Sequence, residues 1–441
     1  MPNEITRRIC KRRENVRKQR RFRIVLSTFA ACVLGLVVSC GGGGKGGTNS
    51  TPVANAGSNQ TVMAGWLLAL DGSRSSNAST YSWSFMTKPA GSTATLSSST
   101  VSKPTFTADK AGSYTVSLVV NNGTASSYPD TVTVTAVSPR PVPDTGQTTL
   151  YAAGDDSTYL SSAPSYTDNG DGTITDRVTG LMWQKCLSGQ SGALCSTGTA
   201  TTYNWFQANG TANANFNPGG VVNICGDLTV GGYSDWRLPT DFELMSIADY
   251  GGAFGSAINT TYFSPTPVYA SNWSSNSAVG LDTYAWYMDY LVGSVSYGGE
   301  AAGNYVRCIR GEQSAPVLAD NGNGTITDNV TGLMWQQQDD GLKKTWLQAL
   351  TYCGSLSLGG HSDWRLPNVK ELSSIIDYTR GGPAINTSYF PGTPQSPSTY
   401  YWSSTTDYGS TANAWCADFY SGSVDPFNML KTGSNYARCV R

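Results

Sequence analysis

The sequence predicts a multidomain, β-rich chain in which an antiparallel β-sandwich is followed by two copies of one α+β domain. Three observations predict it. Between residues 52 and 136, short alternating runs such as "WLLALDGS", "YSWSFM", "SYTVSLVV" and "DTVTVTA" are interrupted by Gly, Ser, Asn and Pro, the pattern of a sandwich with turns every 8–12 residues or so. From residue 165 onward, whole blocks of text recur in the same order. The composition, with 49 Gly, 24 Tyr, 12 Trp and only 13 % charged residues, suits an extracellular β protein. Its 39 % hydrophobic content fills several small cores but not a polytopic membrane protein.

The N-terminal residues form a separate class. The first 23 hold ten Lys/Arg and two acids, and an uncharged apolar run follows over 24–39. A basic region before a short apolar stretch is a secretory signal, too short for a comfortable membrane span. The run ends at Val37-Val38-Ser39-Cys40 with four glycines next, which resembles the bacterial lipoprotein signal. That resemblance implies loss of residues 1–39, lipidation of Cys40, and a Gly-rich tether over 40–51. The remaining chain holds 19 basic and 28 acidic residues, a net charge of about −9. Such a chain has no electrostatic reason to bind nucleic acid or an anionic bilayer. Membrane contact is expected only through the N-terminal lipid, and the expected location is the bacterial cell envelope, as an outer-membrane lipoprotein facing the periplasm or the exterior.

Residues 52–137 resemble a PKD-type immunoglobulin-like domain through "PVANAGSNQTV", "LDGSRSS", "YSWSF" and "GSYTVSLVV". The resemblance implies that Trp83 is the core tryptophan, that Gly112 and Tyr114 mark a late strand, and that the module is a spacer. It has no cysteine pair, so its core rests on apolar burial. Residues 138–164, rich in Pro, Ser and Thr, read as a linker.

Two copies of one domain then follow, over 165–311 and 317–441. "DNGDGTITDRVTGLMWQ" (168–184) returns as "DNGNGTITDNVTGLMWQ" (320–336), and "CGDLTVGGYSDWRLPTDFEL" (225–244) as "CGSLSLGGHSDWRLPNVKEL" (353–372). "INTTYF", "NWSS", "VGSV" and "YVRCIR" return as "INTSYF", "YWSS", "SGSV" and "YARCVR". Each copy opens on a hairpin with Asn-Gly, Asp-Gly and Thr-Gly turns. A first helix follows, cleanest in the second copy, where Trp346, Leu347, Leu350, Cys353 and Leu356 keep helical spacing; "NGTANANFNPGG" interrupts it in the first.

The repeated hexapeptide "SDWRLP" launches a second helix. Thr240 with Glu243, and Asn368 with Glu371, have capping-box spacing, and Gly251-Gly252 and Gly381-Gly382 are expected to end the two helices. Trp236 and Trp364 are expected in the core, and the Asp–x–Arg pair is expected to tie the bend. Short strands whose last member returns beside the first hairpin complete an α+β arrangement.

The cysteines sit at matched positions, one on the first helix and one on the last strand. This predicts the disulfides Cys225–Cys308 and Cys353–Cys439, each closing a loop of more than 80 residues and contributing about 4 kcal/mol. Cys186 and Cys195, absent from the second copy, predict a local loop closure. Cys416 is left over, aligned with Tyr287, and reads as a buried thiol.

The ordered set "DNGDGTITD…TGLMWQ", "DWRLP…EL", "YWSS", "GSV" and the closing "VRCIR" or "ARCVR" resembles the Lcl C-terminal domain family, named for a collagen-like adhesin. "DWRLP" before a helix and the Arg-rich closing strand also resemble, more distantly, the C-type-lectin-like and formylglycine-generating-enzyme folds. The expected fold class is therefore an all-β immunoglobulin-like sandwich followed by two α+β C-type-lectin-like domains.

Chemistry is sparse. His361 is the chain's single histidine, and Tyr233 occupies its place in the other copy, so a His-based catalytic or metal site lacks raw material. The related enzymes use a cysteine pair that the disulfides consume here. The run 168–176 departs from a calcium-loop frame, so turn chemistry explains it better. No enzyme, metal or cofactor is expected.

Binding remains, through aromatic and acidic residues of the late strands: Trp273, Trp286, Tyr287, Asp289 and Tyr290 in one copy, and Trp402, Trp415, Asp418, Tyr420 and Tyr436 in the other. Such groups suit sugar rings or protein hot spots. The expected partner is a glycan or protein ligand on another surface, with two tandem heads adding avidity. The other reading is a structural envelope protein that binds a partner protein. The sulfated polymer that the adhesin resemblance implies is not carried over, because the acidic chain lacks Lys/Arg clusters.

Overall fold

The computed structural model describes residues 51–138, 140–159, 162–252, 256–263, 266–267, 270–311 and 316–441. The expected signal over 1–39, the lipidation site Cys40 and the tether up to residue 50 lie outside them.

The N-terminal β-domain contains β1 (Gln60–Met63), β2 (Leu67–Ala69), β3 (Thr80–Thr87), β4 (Thr105–Thr107), β5 (Gly112–Asn121) and β6 (Asp130–Val137). One sheet runs β1-β6-β5-β3, and β2 pairs with β4 across from it. Alternation along β5 and β6 sends Tyr114, Val116, Leu118, Val132 and Val134 inward around Trp83 and Phe106. The Trp83 indole N–H donates to the Val101 carbonyl at 3.0 Å, so the largest core side chain leaves no polar atom stranded. Gly112 has φ +129°, and a Cβ there would meet the Pro89 ring at 2.9 Å. No larger residue fits that bend.

In the first repeat the strands are β7 (Tyr166–Asp168), β8 (Thr173–Asp176), β9 (Met182–Gln184), β10 (Gln190–Ser191), β11 (Thr197–Gly198), β12 (Ser271–Ser277), β13 (Tyr284–Asp289), β14 (Ser294–Gly299) and β15 (Ile309–Arg310). The second has β16 (Leu318–Asp320), β17 (Thr325–Asp328), β18 (Met334–Gln336), β19 (Tyr400–Thr406), β20 (Ala414–Asp418) and β21 (Val424–Asp425). The last strand does return beside the first hairpin: Ile309 pairs with Trp183, and Val440 with Trp335.

Helix is scarce. The α-helices are α1 (Trp205–Asn209), α2 (Asp241–Ser246), α3 (Trp346–Gly354) and α4 (Val369–Ser373), so the molecule is mainly β and the α+β expectation overstated its helices. Gly210 ends α1 in a left-handed conformation. The insertion after it leaves Cys225 in a turn, not on a helix. The second helices stop short of their glycine pairs. In α2, Ser246 Oγ donates to the Glu243 carbonyl; in and beside α4, Ser373 and Ser374 donate to Val369 and Glu371. Hydroxyls that bond back to helix carbonyls weaken continuation.

The two repeats are not separate heads. β12-β13-β14-β21-β20-β19 form one six-stranded antiparallel sheet, joined where Val295 pairs with Val424. Those two valines occupy matched positions in "VGSV" and "SGSV", so the repeats meet about a pseudo-two-fold axis. The surrounding contacts are reciprocal. Tyr250 packs edge-on against Trp415 at 4.8 Å, and its counterpart Tyr378 against Trp286 at 5.1 Å. One core cluster takes Leu244 and Ile247 from one repeat and Leu372 and Ile375 from the other.

The segment expected to be a linker is also structured. Asp144, Thr145, Gln147, Asp155 and Asp156 are all buried, and residues 142–159 form a strap against both repeats. Its Pro-, Ser- and Thr-rich composition marks irregular backbone, which here is held by side-chain hydrogen bonds in place of strand pairing.

A candidate ligand cleft at the junction of the repeats

The duplicated corner is built from two ion pairs in each copy. Thr240 and Asn368 cap α2 and α4, each in a complete capping box. Arg237 grips the capping Glu243 in two contacts of 2.7 and 2.5 Å, and Arg365 does the same to Glu371 at 2.6 Å twice. The expected Asp–x–Arg tie is absent. Asp235 instead holds Arg310 at 2.8 Å, and Asp363 holds Arg441 at 2.8 Å. Asp and Arg, two residues apart, share a side of the extended corner with the buried Trp between them on the other, yet the Asp reaches the closing strand and the Arg the capping Glu of the second helix. Trp236 and Trp364 are buried, with their indoles donating to Tyr233 and Leu358 carbonyls. The hexapeptide therefore joins the closing strand to the second helix.

Three disulfides accompany it: Cys225–Cys308, Cys353–Cys439 and Cys186–Cys195. Cys416 is a buried free thiol, pushed up by burial.

Most of the late-strand candidates lie inside. Trp273, Trp286, Tyr290, Trp402, Trp415 and Asp418 are buried. The indoles of Trp273 and Trp402 donate to Tyr203 and Lys344 carbonyls at 2.8 and 2.7 Å, Tyr290 donates to the Leu244 carbonyl, and Asp418 accepts from Tyr420 N and Ser421 Oγ. These are core groups and do not form a binding face. Strand alternation assumed one solvated face, whereas every residue of β20 is buried because both faces are covered. Tyr287, Asp289, Tyr420 and Tyr436 are half-buried and dispersed: Tyr287 lies edge-on to Trp273, Asp289 accepts from Leu291 N, Tyr420 lies against Gly382, and Tyr436 lies tilted against Tyr401.

The Asp/Asn/Gly run spends its carboxylates on turns. Asp171 accepts from the Thr173 amide and hydroxyl, Asp176 from Val178 and Thr179, and Asp168 pairs with Lys185. Asn323, at the place of Asp171, accepts from the Thr325 hydroxyl. His361 lies in a tight turn bridged to Leu358.

An open cleft of about 200 Å³ sits at the junction of the repeats. Its wall is the Tyr250–Trp415 pair, and its rim carries Tyr408 and Phe427, 48 % and 56 % exposed. Asp249 and Asp407 also line it. Each gives one oxygen to a backbone amide, of Gly251 and Gly409 respectively, and burial raises the Asp407 carboxyl above its ordinary value. Aromatic faces beside acceptor oxygens can hold a sugar ring or an aromatic-rich peptide. On the pseudo-symmetric side Val279 is packed against Gly381, where an added Cβ would come within 3.2 Å of the Val279 carbonyl. Sequence reasoning passed over Tyr408 and Phe427. The signal available was that "TTDYGS" and "DPFN" break the repeat: aromatic loop residues in one copy have no partner in the other.

The family model of the Lcl C-terminal domain matches residues 172–310 and 324–441, and a PKD-domain family model matches 56–136. No curated protein matches. Among solved structures, the PKD domain from KIAA 1837 protein is 26 % identical, covering 21 % of this chain and 93 % of its own, with a TM-score of 0.18. The Yersinia pseudotuberculosis adhesin InvE is 12 % identical, covering 89 % and 97 %, with a TM-score of 0.17. Those TM-scores are too low to transfer architecture or function. The two Lcl segments span more than half of the sequence and carry the repeated corner and closing strand just described; the chain belongs to the Lcl C-terminal domain family.

Proposed function

We propose that this is a secreted, lipid-anchored, non-catalytic protein whose paired Lcl repeats form one adhesive head, with the junction cleft taking a neutral glycan on another surface. The carrying observation is the exposed Tyr408–Phe427 rim above the Tyr250–Trp415 wall, with Asp249 and Asp407 beside it. Exposed aromatics offer stacking faces, and acidic lining favours hydroxyl-bearing sugars over sulfated polyanions. Three disulfides fit an oxidising, extracytoplasmic compartment. The anchor is Cys40, at the end of the apolar run over 24–39, and the N-terminal β-domain serves as the spacer. Because the repeats share a core, the two-headed avidity expected from the sequence is replaced by one composite site.

The test is a glycan array probed with the full chain, followed by titration of the best hit. Tyr408→Ala and Phe427→Ala should each weaken binding by about tenfold, the loss of one aromatic contact worth about 1.4 kcal/mol. An array without hits, or hits indifferent to both changes, would remove the glycan reading and leave the protein-binding one.

A further inference from the structure

The strap fills a groove that the pseudo-two-fold axis repeats on the opposite side. Lys370 Nζ donates to the Asp144 and Ser246 carbonyls at 2.8 and 3.0 Å. Tyr250 N donates to the Thr145 carbonyl at 2.7 Å. Thr405 Oγ1 donates to the Asp156 carboxyl at 2.6 Å, and Thr406 N to Gln147 Oε1 at 2.7 Å. Exchanging the repeats maps Lys370 to Phe242, Thr405 to Asn276, Ser246 to Ser374 and Tyr250 to Tyr378. Those counterparts line an open groove of about 340 Å³, with Leu318 and Ile376 as further walls. The Tyr250 hydroxyl donates to the Gly293 carbonyl, but the Tyr378 hydroxyl is buried without a hydrogen-bond partner.

We infer that this second groove docks an extended, uncharged peptide segment of a partner protein, occupying it as the strap occupies its twin. The filled groove shows that the shape accepts extended backbone. The segment preceding the second repeat, residues 311–317, has seven residues, about 25 Å when fully extended. Its Pro316 lines the groove, but the link also has to join β15 to β16 and is shorter than the strap over 142–159.

The replaced residues define the occupant. Phe242 removes the ammonium that grips the strap carbonyl and calls for an apolar side chain. Asn276 offers an amide, which both donates and accepts, where Thr405 donates to a carboxylate. Glu243 and Asp377 are already paired, with Arg237 and Arg380, and so do not call for a cation.

The test uses the full chain and two fluorescein-labelled peptides of the strap sequence 141–157, one unaltered and one made neutral by Asp144→Leu, Asp155→Asn and Asp156→Asn, read by fluorescence anisotropy up to 1 mM. The neutral peptide should bind saturably and lose at least tenfold in affinity with Asn276→Arg, with circular dichroism verifying that this variant folds. Phe242→Lys should move the preference toward the unaltered peptide, while Tyr408→Ala should leave peptide binding unchanged and so keep this site distinct from the cleft. Absence of binding to both wild type and Phe242→Lys overturns the inference, as does binding indifferent to Asn276→Arg. Binding that appears only once the 311–317 link is cut also overturns it, by showing that the chain's own link fills the groove.

Discussion

Asp156 shows how one residue of an irregular segment can set the pH response of the whole body. Its carboxyl is buried between the hydroxyls of Thr145 and Thr405, and burial raises it from 3.8 to about 7. An acid raised on folding contributes stability that is complete below its unfolded value and is lost as pH climbs through the folded one. Stability should therefore fall between about pH 4 and pH 7. Asp241, raised to about 8 by burial, slopes the same way. Lys370, lowered by burial from 10.5 to about 8, slopes oppositely, but only above pH 8. Asp156→Asn keeps an acceptor for both hydroxyls and removes the ionisation. Its melting temperature should match wild type at pH 4 and exceed it by several degrees at pH 7; an unchanged difference across that range refutes the assignment. None of this was legible in the sequence, where Asp156 stands in what reads as linker text.

At the scale of elements, the repeated corner was the most legible part. Thr240, Asn368 and the two glutamates declared their caps through spacing alone, because a capping box is a local, short-range motif. The tertiary ties were hidden, since Arg310 and Arg441 reach Asp235 and Asp363 from more than seventy residues away. The corner also separates strong from weak charge pairs. Glu371 is buried, pairs with the half-buried Arg365 and caps α4, so Glu371→Ala should destabilise by about 3 kcal/mol, the low end of the cost of breaking a buried pair. Asp363 is largely exposed, and Asp363→Ala should leave the denaturation midpoint nearly unmoved. Chemical denaturation of both variants checks the contrast, and equal effects would contradict it. The helix lengths were misread for a local reason of another kind: serines at their ends bond back to the turn before.

For the whole molecule, the duplication was plain in the text but its geometry was not. Nothing in two similar paragraphs says whether they stand apart or share a core, because the answer lies in the edges of β14 and β21, which pair with each other. The dispersal of the aromatic candidates has the same origin: Trp286 and Trp415 are matched residues that each serve the other repeat's tyrosine. A fragment of residues 317–441 alone would expose Trp415, Ile375 and the β21 edge. It should not persist as a folded monomer; sedimentation should show self-association, and the remaining monomer should bind a hydrophobic dye. A compact monomer with a cooperative melt would contradict the shared core.

The odd thiol has a consequence for how the chain matures. Cys416 lies in the same cluster as Cys353 and Cys439, and along the chain it stands between them. The nearer downstream sulfur for Cys353 is therefore the wrong one, and closing that smaller ring would leave Cys439 without its mate. Reaching the native bridge from there would take thiol–disulfide exchange, a detour through this position that the first repeat, with Tyr287 at that place, does not present.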